Sequence, residues 1–320
     1  MSGVRQFIDL NYHHFNAGAL ADCARSLEGF LANGGKLIVT LAGAMSTAEI
    51  GRSLAPAIRA GLVHAISCTG ANLEEDLFNL VAHESYEKID WRNLTAEDDA
   101  KLQQKGLNRV TDTCIPEAEA IRVVESVLLQ QWLEAEKNKV TKPPHHYLFD
   151  VINSENIEFQ ANPDDSWLIA AQQMQIPIFT PAWADSTLGN IFSARLIDGT
   201  ITNDSIITSD LQRMGDISSW YQEQESPLGI LQVGGGVAGD FPICVVPMLR
   251  QDLGKDVELW SWFAQISESN PSYGGYSGAP PNEKISWEKL GIDTPKFVIE
   301  SDATIVLPLI MWYLLEGLEK

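Results

Sequence analysis

Short apolar segments rich in β-branched residues alternate along this chain with stretches of helical periodicity, and that alternation constrains the fold more than any other feature. A helix between successive strands makes each connection a crossover, so neighbouring strands run parallel and helices cover both faces of the sheet. Strands are expected at Leu37–Leu41, Val63–Ser67, Ile176–Phe179, Gly229–Val233, Glu258–Trp262 and Phe297–Ile299. Helices are expected at Ala17–Leu31, Thr47–Ala60, Ser166–Gln175, Ser205–Tyr221 and Pro242–Gln251. The connections are short, as in a doubly wound, mostly parallel α/β sheet.

One stretch breaks the rhythm. A helix from Pro116 to about Lys139, opened by a proline, joins the polar segment Tyr86–Gly106 in a helical excursion over about residues 86–140. The remainder reads as part of one α/β domain spanning residues 1–320. Ser267–Pro281, rich in Gly and Pro, is expected to be a long loop leading to Glu283 and Lys289. The apolar stretch Ile305–Leu315 is shorter than the ~20 residues that span a bilayer and contains Pro308, so it reads as a buried C-terminal helix.

The formal net charge of -21 argues against nucleic-acid or anionic-membrane partners and favours cations, polyamines among them, although such a balance also serves solubility. Cys23, Cys68, Cys114 and Cys244 are widely spaced and form no Cys-x-x-Cys pair, which fits reduced thiols in the cytoplasm. No signal peptide is expected at the start of the chain. The histidines fall in adjacent pairs, His13-His14 and His145-His146, that diverge on either element type, so no metal site is expected. A Gly-x-Ser-x-Gly elbow is also lacking.

Gly234-Gly235-Gly236-Val237-Ala238-Gly239 follows an expected strand and satisfies Gly-x-Gly-x-x-Gly, which lets backbone approach a phosphate at a helix N-terminus. A ligand-free tight turn satisfies it equally. The next expected strand ends at Trp262, with no acidic residue there for a ribose, so a dinucleotide would need a variant arrangement. Asp240 is expected at or near the N-terminus of the following helix, as a cap or as a base or ammonium ligand. Glu74-Glu75-Asp76 follows one strand, Asp185 and Asn190 another, and Asp302 the last; together they read as one acidic site at the C-terminal edge of the sheet. For the first cluster, stabilising charges in the first turn of a helix are the simpler explanation.

Lys289 lies in Asn282-Glu283-Lys284-Ile285-Ser286-Trp287-Glu288-Lys289-Leu290. A lysine amine attacks a carbonyl or imine carbon only when neutral, and Trp287 offers an apolar wall and a π face for an ammonium. By spacing alone, a solvated lysine at the start of a helix is the simpler explanation, because surface lysines greatly outnumber catalytic ones.

These segments, in this order, resemble the deoxyhypusine synthase family from about Lys36 to the C-terminus. The resemblance rests on Cys68–Leu77, on Thr180–Asn190, on Gly234–Val237, on Ser277–Lys289 and on Ser301-Asp302-Ala303. It implies a Rossmann-type NAD-binding fold and a tetramer of tight dimers with active sites at the dimer interface. It also implies a transferase reaction in which spermidine yields 1,3-diaminopropane and an aminobutyl imine on Lys289, which an acceptor amine takes over. Carried over by position, Ser46, Thr47, Thr69, Glu75, Asp185, Gly234, Gly235, Gly236, Ala264, Gln265, Asp302 and Ala303 would contact NAD. Lys289 and Asp240 would be catalytic, and Glu283, Trp287, Asn190, Glu74, Tyr276 and Ser277 would bind substrate.

Four positions depart from the family pattern. Asp240 stands where the family has an active-site histidine, Cys244 where it has asparagine, and Asn190 and Tyr276 where it has aspartates. The chain also begins close to its core, with little room for the N-terminal extension of the eukaryotic enzymes. Altered amine selection with retained hydride chemistry is therefore expected. A homospermidine synthase-like activity leads, with spermidine or putrescine as donor and putrescine as acceptor. A deoxyhypusine synthase acting on a protein lysine and a non-catalytic NAD- or polyamine-binding protein are the alternatives.

Overall fold

A computed structural model describes residues 3–318. Its main sheet has six strands: β1 (Lys36–Leu41), β2 (Ala65–Cys68), β6 (Ile178–Phe179), β7 (Leu228–Val233), β8 (Trp262–Ile266) and β9 (Lys296–Ile299). They lie in the order β6-β2-β1-β7-β8-β9, and every pairing is parallel. The chain winds outward from β1 on one side, returns to β7 and winds outward on the other, so a topological switch lies between β1 and β7. Ligands of open α/β sheets bind outside the strand C-termini at such a point.

The strands read as continuous apolar runs because both faces are covered, and each face takes alternate residues. Leu37, Val39 and Leu41 of β1 join Val233, Ile266, Leu27 and Ile310 on one face, whereas Ile38 joins Ile230, Phe263, Ile243 and Trp260 on the other. The C-terminal helix Ala303–Leu318 buries Val306, Leu307, Ile310 and Met311 in the first of these layers. Among the described residues no helix is long and apolar enough to cross a membrane. All four cysteines are free thiols.

Three expectations shift. The strand placed at Glu258–Trp262 lies four residues later, because the ladder with β7 starts at the Gly229–Trp262 pair and runs to Val233–Ile266. Buried Trp260 belongs instead to an isolated bridge with Leu290 and packs edge-on against Tyr221. With the strand end moved to Ile266, exposed Glu268 stands two residues beyond it, and the apparent lack of an acidic residue disappears. The second shift concerns the helix expected from Pro242, which starts at Gly236 and carries Asp240 in its second turn.

Third, the excursion is only partly helical. Its strands β3 (Glu87–Lys88), β4 (Leu107–Val110) and β5 (Thr113–Pro116) form an antiparallel sheet in the order β3-β5-β4. Pro116 ends β5 and caps the expected helix: a π-helical stretch over Glu117–Arg122 runs directly into the α-helix Val123–Asn138, which is C-capped by Lys139.

Candidate active site

Lys289 is inside the protein. The short helix Glu283–Ser286 ends at Trp287, and Glu288 takes a left-handed φ of 53°, which turns the chain inward. The Lys289 N–H donates to Lys284 O at 3.0 Å, and its own carbonyl accepts the Trp260 N–H at 3.2 Å, so backbone bonds fix the residue from both sides. The side chain is held as firmly: Nζ donates to Asp240 Oδ1 at 3.1 Å and faces the rings of Tyr276 and Trp287 at 5.6 and 5.9 Å. The solvated-lysine reading therefore fails, with only 8% of Lys289 exposed.

Asp240 is not a helix cap, since it lies a full turn inside its helix. Besides Lys289, its Oδ1 accepts from the Cys244 thiol at 3.3 Å. Burial and the Asp240 charge push that thiol above its ordinary pKa. Both groups open into a cavity of about 530 Å³, a size suited to small ligands, also lined by Glu283, Asp252, Trp287 and Tyr276. Trp287 stays 57% exposed at its wall. Tyr276, expected as a substrate ligand, is tied by its hydroxyl, which accepts from Gln232 Nε2 at 2.8 Å and leaves the ring face to the cavity.

The glycine turn sits at the switch point. Gly234 and Gly236 have φ of 82° and 57°, where a side chain is strained. A Cβ at Gly236 would stand in open space, so the backbone is accessible from outside. The lysine loop docks against the same turn: Ser277 Oγ accepts the Gly236 N–H at 3.1 Å, and Gln265 Nε2 donates to Gly234 O and Ser277 O at 3.0 and 2.9 Å. Ser277 and Gln265 thus lock turn to loop.

The acidic run divides its work. Glu74, expected to bind substrate, accepts the N–H groups of Thr187 and Leu188 at 2.8 Å each and caps the helix Thr187–Ile197. Asp76 accepts from Ser166 Oγ and from Leu168 N–H and caps the helix Trp167–Met174. Both carboxylates are engaged by the N–H groups that open another helix. Glu75 meets a side chain instead: Thr47 Oγ1 donates to its Oε2 at 2.5 Å, and burial, reinforced by Glu74, pushes its pKa up to about 7. The run also lies in the second turn of its helix, not in the first.

Other expected ligands are placed differently. The Ser46 hydroxyl is consumed inside, donating to Asn72 O at 2.7 Å and accepting from Trp167 Nε1 at 2.9 Å. Ala264 lies mid-strand in the core, and Ala303 is buried at the start of the last helix. Thr69 caps the helix Gly70–Ala82 and donates to Gly43 O at 2.7 Å. Asn190 Nδ2 donates to Ala184 O and Ser186 O, which clamps its own loop beside Asp185 at a separate cavity with Arg122 and Arg195. Asp302 is exposed and accepts from Thr304 N–H at 2.7 Å. Asp185 and Asp302 follow β6 and β9, the two outermost strands, whose axes are roughly 24 Å apart at the usual strand spacing. The strand-end carboxylates therefore do not form one acidic site within the chain.

The family model described as deoxyhypusine synthase matches residues 8–314. The chain belongs to the deoxyhypusine synthase family. A deoxyhypusine synthase-like protein of Cyanothece is 28% identical, with 98% of this chain and 79% of the relative covered. The Methanosarcina acetivorans protein named "Probable deoxyhypusine synthase 2" is 26% identical, with coverage of 84% and 74%. A crystal structure from Entamoeba histolytica, described as "a putative deoxyhypusine synthase", aligns with a TM-score of 0.56 at 13% identity over 96% of this chain and 91% of that one, a likeness of fold. Members of the deoxyhypusine synthase family are transferases that act on polyamines, use NAD and are generally oligomeric. The open glycine turn at the switch point, with Thr69 and Glu75 beyond the neighbouring strand β2, fits a dinucleotide in this chain.

Lys284 was not singled out from the sequence, yet only 3% of it is exposed and it shares the Lys289 cavity. Its signal was a second lysine five positions before Lys289, legible only once the tight turn between them was known.

Proposed function

We propose that this chain transfers an aminobutyl group, NAD-dependently, from spermidine or putrescine to a small amine such as putrescine, giving homospermidine through an imine on Lys289. The observation that carries the reading is a buried lysine ion-paired with a carboxylate at 3.1 Å on the wall of an acidic cavity. Glu283, Asp252 and Asp240 provide countercharge for substrate ammonium groups, and the Trp287 face orients the alkyl chain. The bound cofactor supplies hydride acceptance and return. The neutral Lys289 amine bonds to the carbon of the oxidised donor, and the proton its nitrogen then gives up goes to the departing nitrogen as the C–N bond breaks and 1,3-diaminopropane leaves spermidine. The acceptor amine then displaces Lys289 in the same way. In this reading Thr69, Glu75 and Gly234–Gly236 hold NAD, and Asp185 and Asp302, at opposite edges of the sheet, reach it across the dimer interface. Residues 1–320 act as one domain within a cytoplasmic tetramer of dimers.

Replacement of the family's histidine and asparagine by Asp240 and Cys244 supports a changed amine pocket. Acceptance of a protein lysine is the second reading, favoured by the name of the archaeal relative. The test is chromatography of amines after incubation with NAD, spermidine and putrescine, against a control lacking NAD. NAD-dependent homospermidine with released 1,3-diaminopropane is expected. Release without homospermidine would favour a protein acceptor, and no release in any mixture would overturn both readings.

A further inference from the structure

Lys284 is a second amine in the cavity, and it has no carboxylate of its own. Its Nζ donates to Ala279 O at 3.1 Å and lies 5.1 Å from the Phe263 ring centroid and 5.2 Å from that of Tyr276. The Tyr276 ring is the one that also faces Lys289 Nζ. Among the described residues Lys284 takes part in no ion pair, whereas Asp240 is engaged by Lys289.

A buried ammonium without a countercharge is costly, and an apolar side chain of similar length would fill the space at lower cost. Packing is therefore a poor reason for a lysine here. Burial, then the neighbouring Lys289 charge, pushes its pKa down to about 8, against the opposing pull of Glu283 and Asp240. Cys244, Tyr276 and Asp252 are the other titratable groups on the cavity wall. An amine that gains and loses its proton near neutral pH is suited to general acid–base work.

We propose that Lys284 is the proton-transfer group of this cavity. The inference rests on the transfer reaction proposed above. As the bond from Lys289 nitrogen to the donor carbon forms, one proton passes from that nitrogen to Lys284. The same proton goes to the donor nitrogen as its bond to carbon breaks, so nothing else is consumed. The acceptor half-reaction runs the exchange in reverse. Asp240 then serves as the fixed countercharge of Lys289.

The test compares Lys284→Met, Lys284→Arg and Lys284→Ala with the wild type in the amine-exchange assay, alongside pH titration of ε-13C-lysine by NMR. Expected are a loss in kcat of about 10²-fold in Lys284→Met with KM little changed, no recovery in Lys284→Arg, whose guanidinium holds its proton, and partial recovery of Lys284→Ala by added methylamine. The resonance missing from Lys284→Met should titrate well below the bulk of the lysine resonances. Wild-type kcat in Lys284→Met would overturn the proposal, as would full activity in Lys284→Arg, which would mean that only charge matters. Lys284 titrating together with the exposed lysines would overturn it without any assay of turnover. A wild type that exchanges no amine would instead count against the proposed function, and the NMR arm would still decide on Lys284. Unchanged melting of Lys284→Met guards against a folding artefact.

Discussion

Two regions hold most of this chain's buried charge, and they spend it in opposite ways. In the helix Gly70–Ala82, Glu74 and Asp76 meet backbone N–H groups of two other helices, so their charge is consumed in joining elements. In the Lys289 cavity, Asp240, Lys284 and Lys289 meet side chains, a carbonyl and ring faces around open space. The first arrangement closes the fold; the second leaves charge for a ligand. A carboxylate in a family motif therefore reveals its role only through its partners, since an orphan N–H group and a substrate ammonium use the same oxygen.

The largest effect should come from Lys289→Ala, with turnover lost by at least about 10³-fold while NAD binding, measured by calorimetry, persists. Surviving activity would erase the distinction between the two regions. Next, Glu74→Ala should leave the buried Leu188 N–H and the half-buried Thr187 N–H unpaired and lower stability by about 2 kcal/mol in urea unfolding, with little change in KM. A large KM effect with intact stability would return Glu74 to the substrate site.

Glu75 offers a pH test of the same contrast. Its folded pKa is raised by burial from 4.5 to about 7, and that of Asp76 from 3.8 to about 6. The native state thus holds these protons when the unfolded chain has released them. Their contribution is fully present below the ordinary carboxylate range and is lost as pH rises towards 7, by roughly 3 kcal/mol for Glu75. Glu75→Gln should flatten this decline in chemical unfolding. The smallest effect is expected for Asp240→Asn, with a drop of about tenfold in kcat and less than about 1 kcal/mol in stability, because its side chain is partly exposed.

Much of the architecture was legible in the sequence. The runs at Leu37–Leu41 and Gly229–Val233 fall in the two central strands, because a buried parallel strand needs an unbroken apolar run. The strand expected at Glu258–Trp262 ends where β8 begins, and only the register against Gly229 makes Trp262 its first residue. Lys289 was recognisable from its segment, but its burial was not, because the turn at Glu288 that drives it inward has no glycine to announce it.

The alternation of apolar strands with amphipathic helices determined the α/β class from sequence alone, since periodicity is local and burial enforces it. The ordered motifs likewise determined the family resemblance. Only the tertiary structure decided that Glu74 and Asp76 cap helices, that Asp185 and Asp302 stand at opposite edges, and that Lys284 and Lys289 share one aromatic wall. Those facts depend on which groups distant segments bring within about 3–6 Å, the range over which hydrogen bonds and cation–π contacts act, and no local pattern encodes that distance.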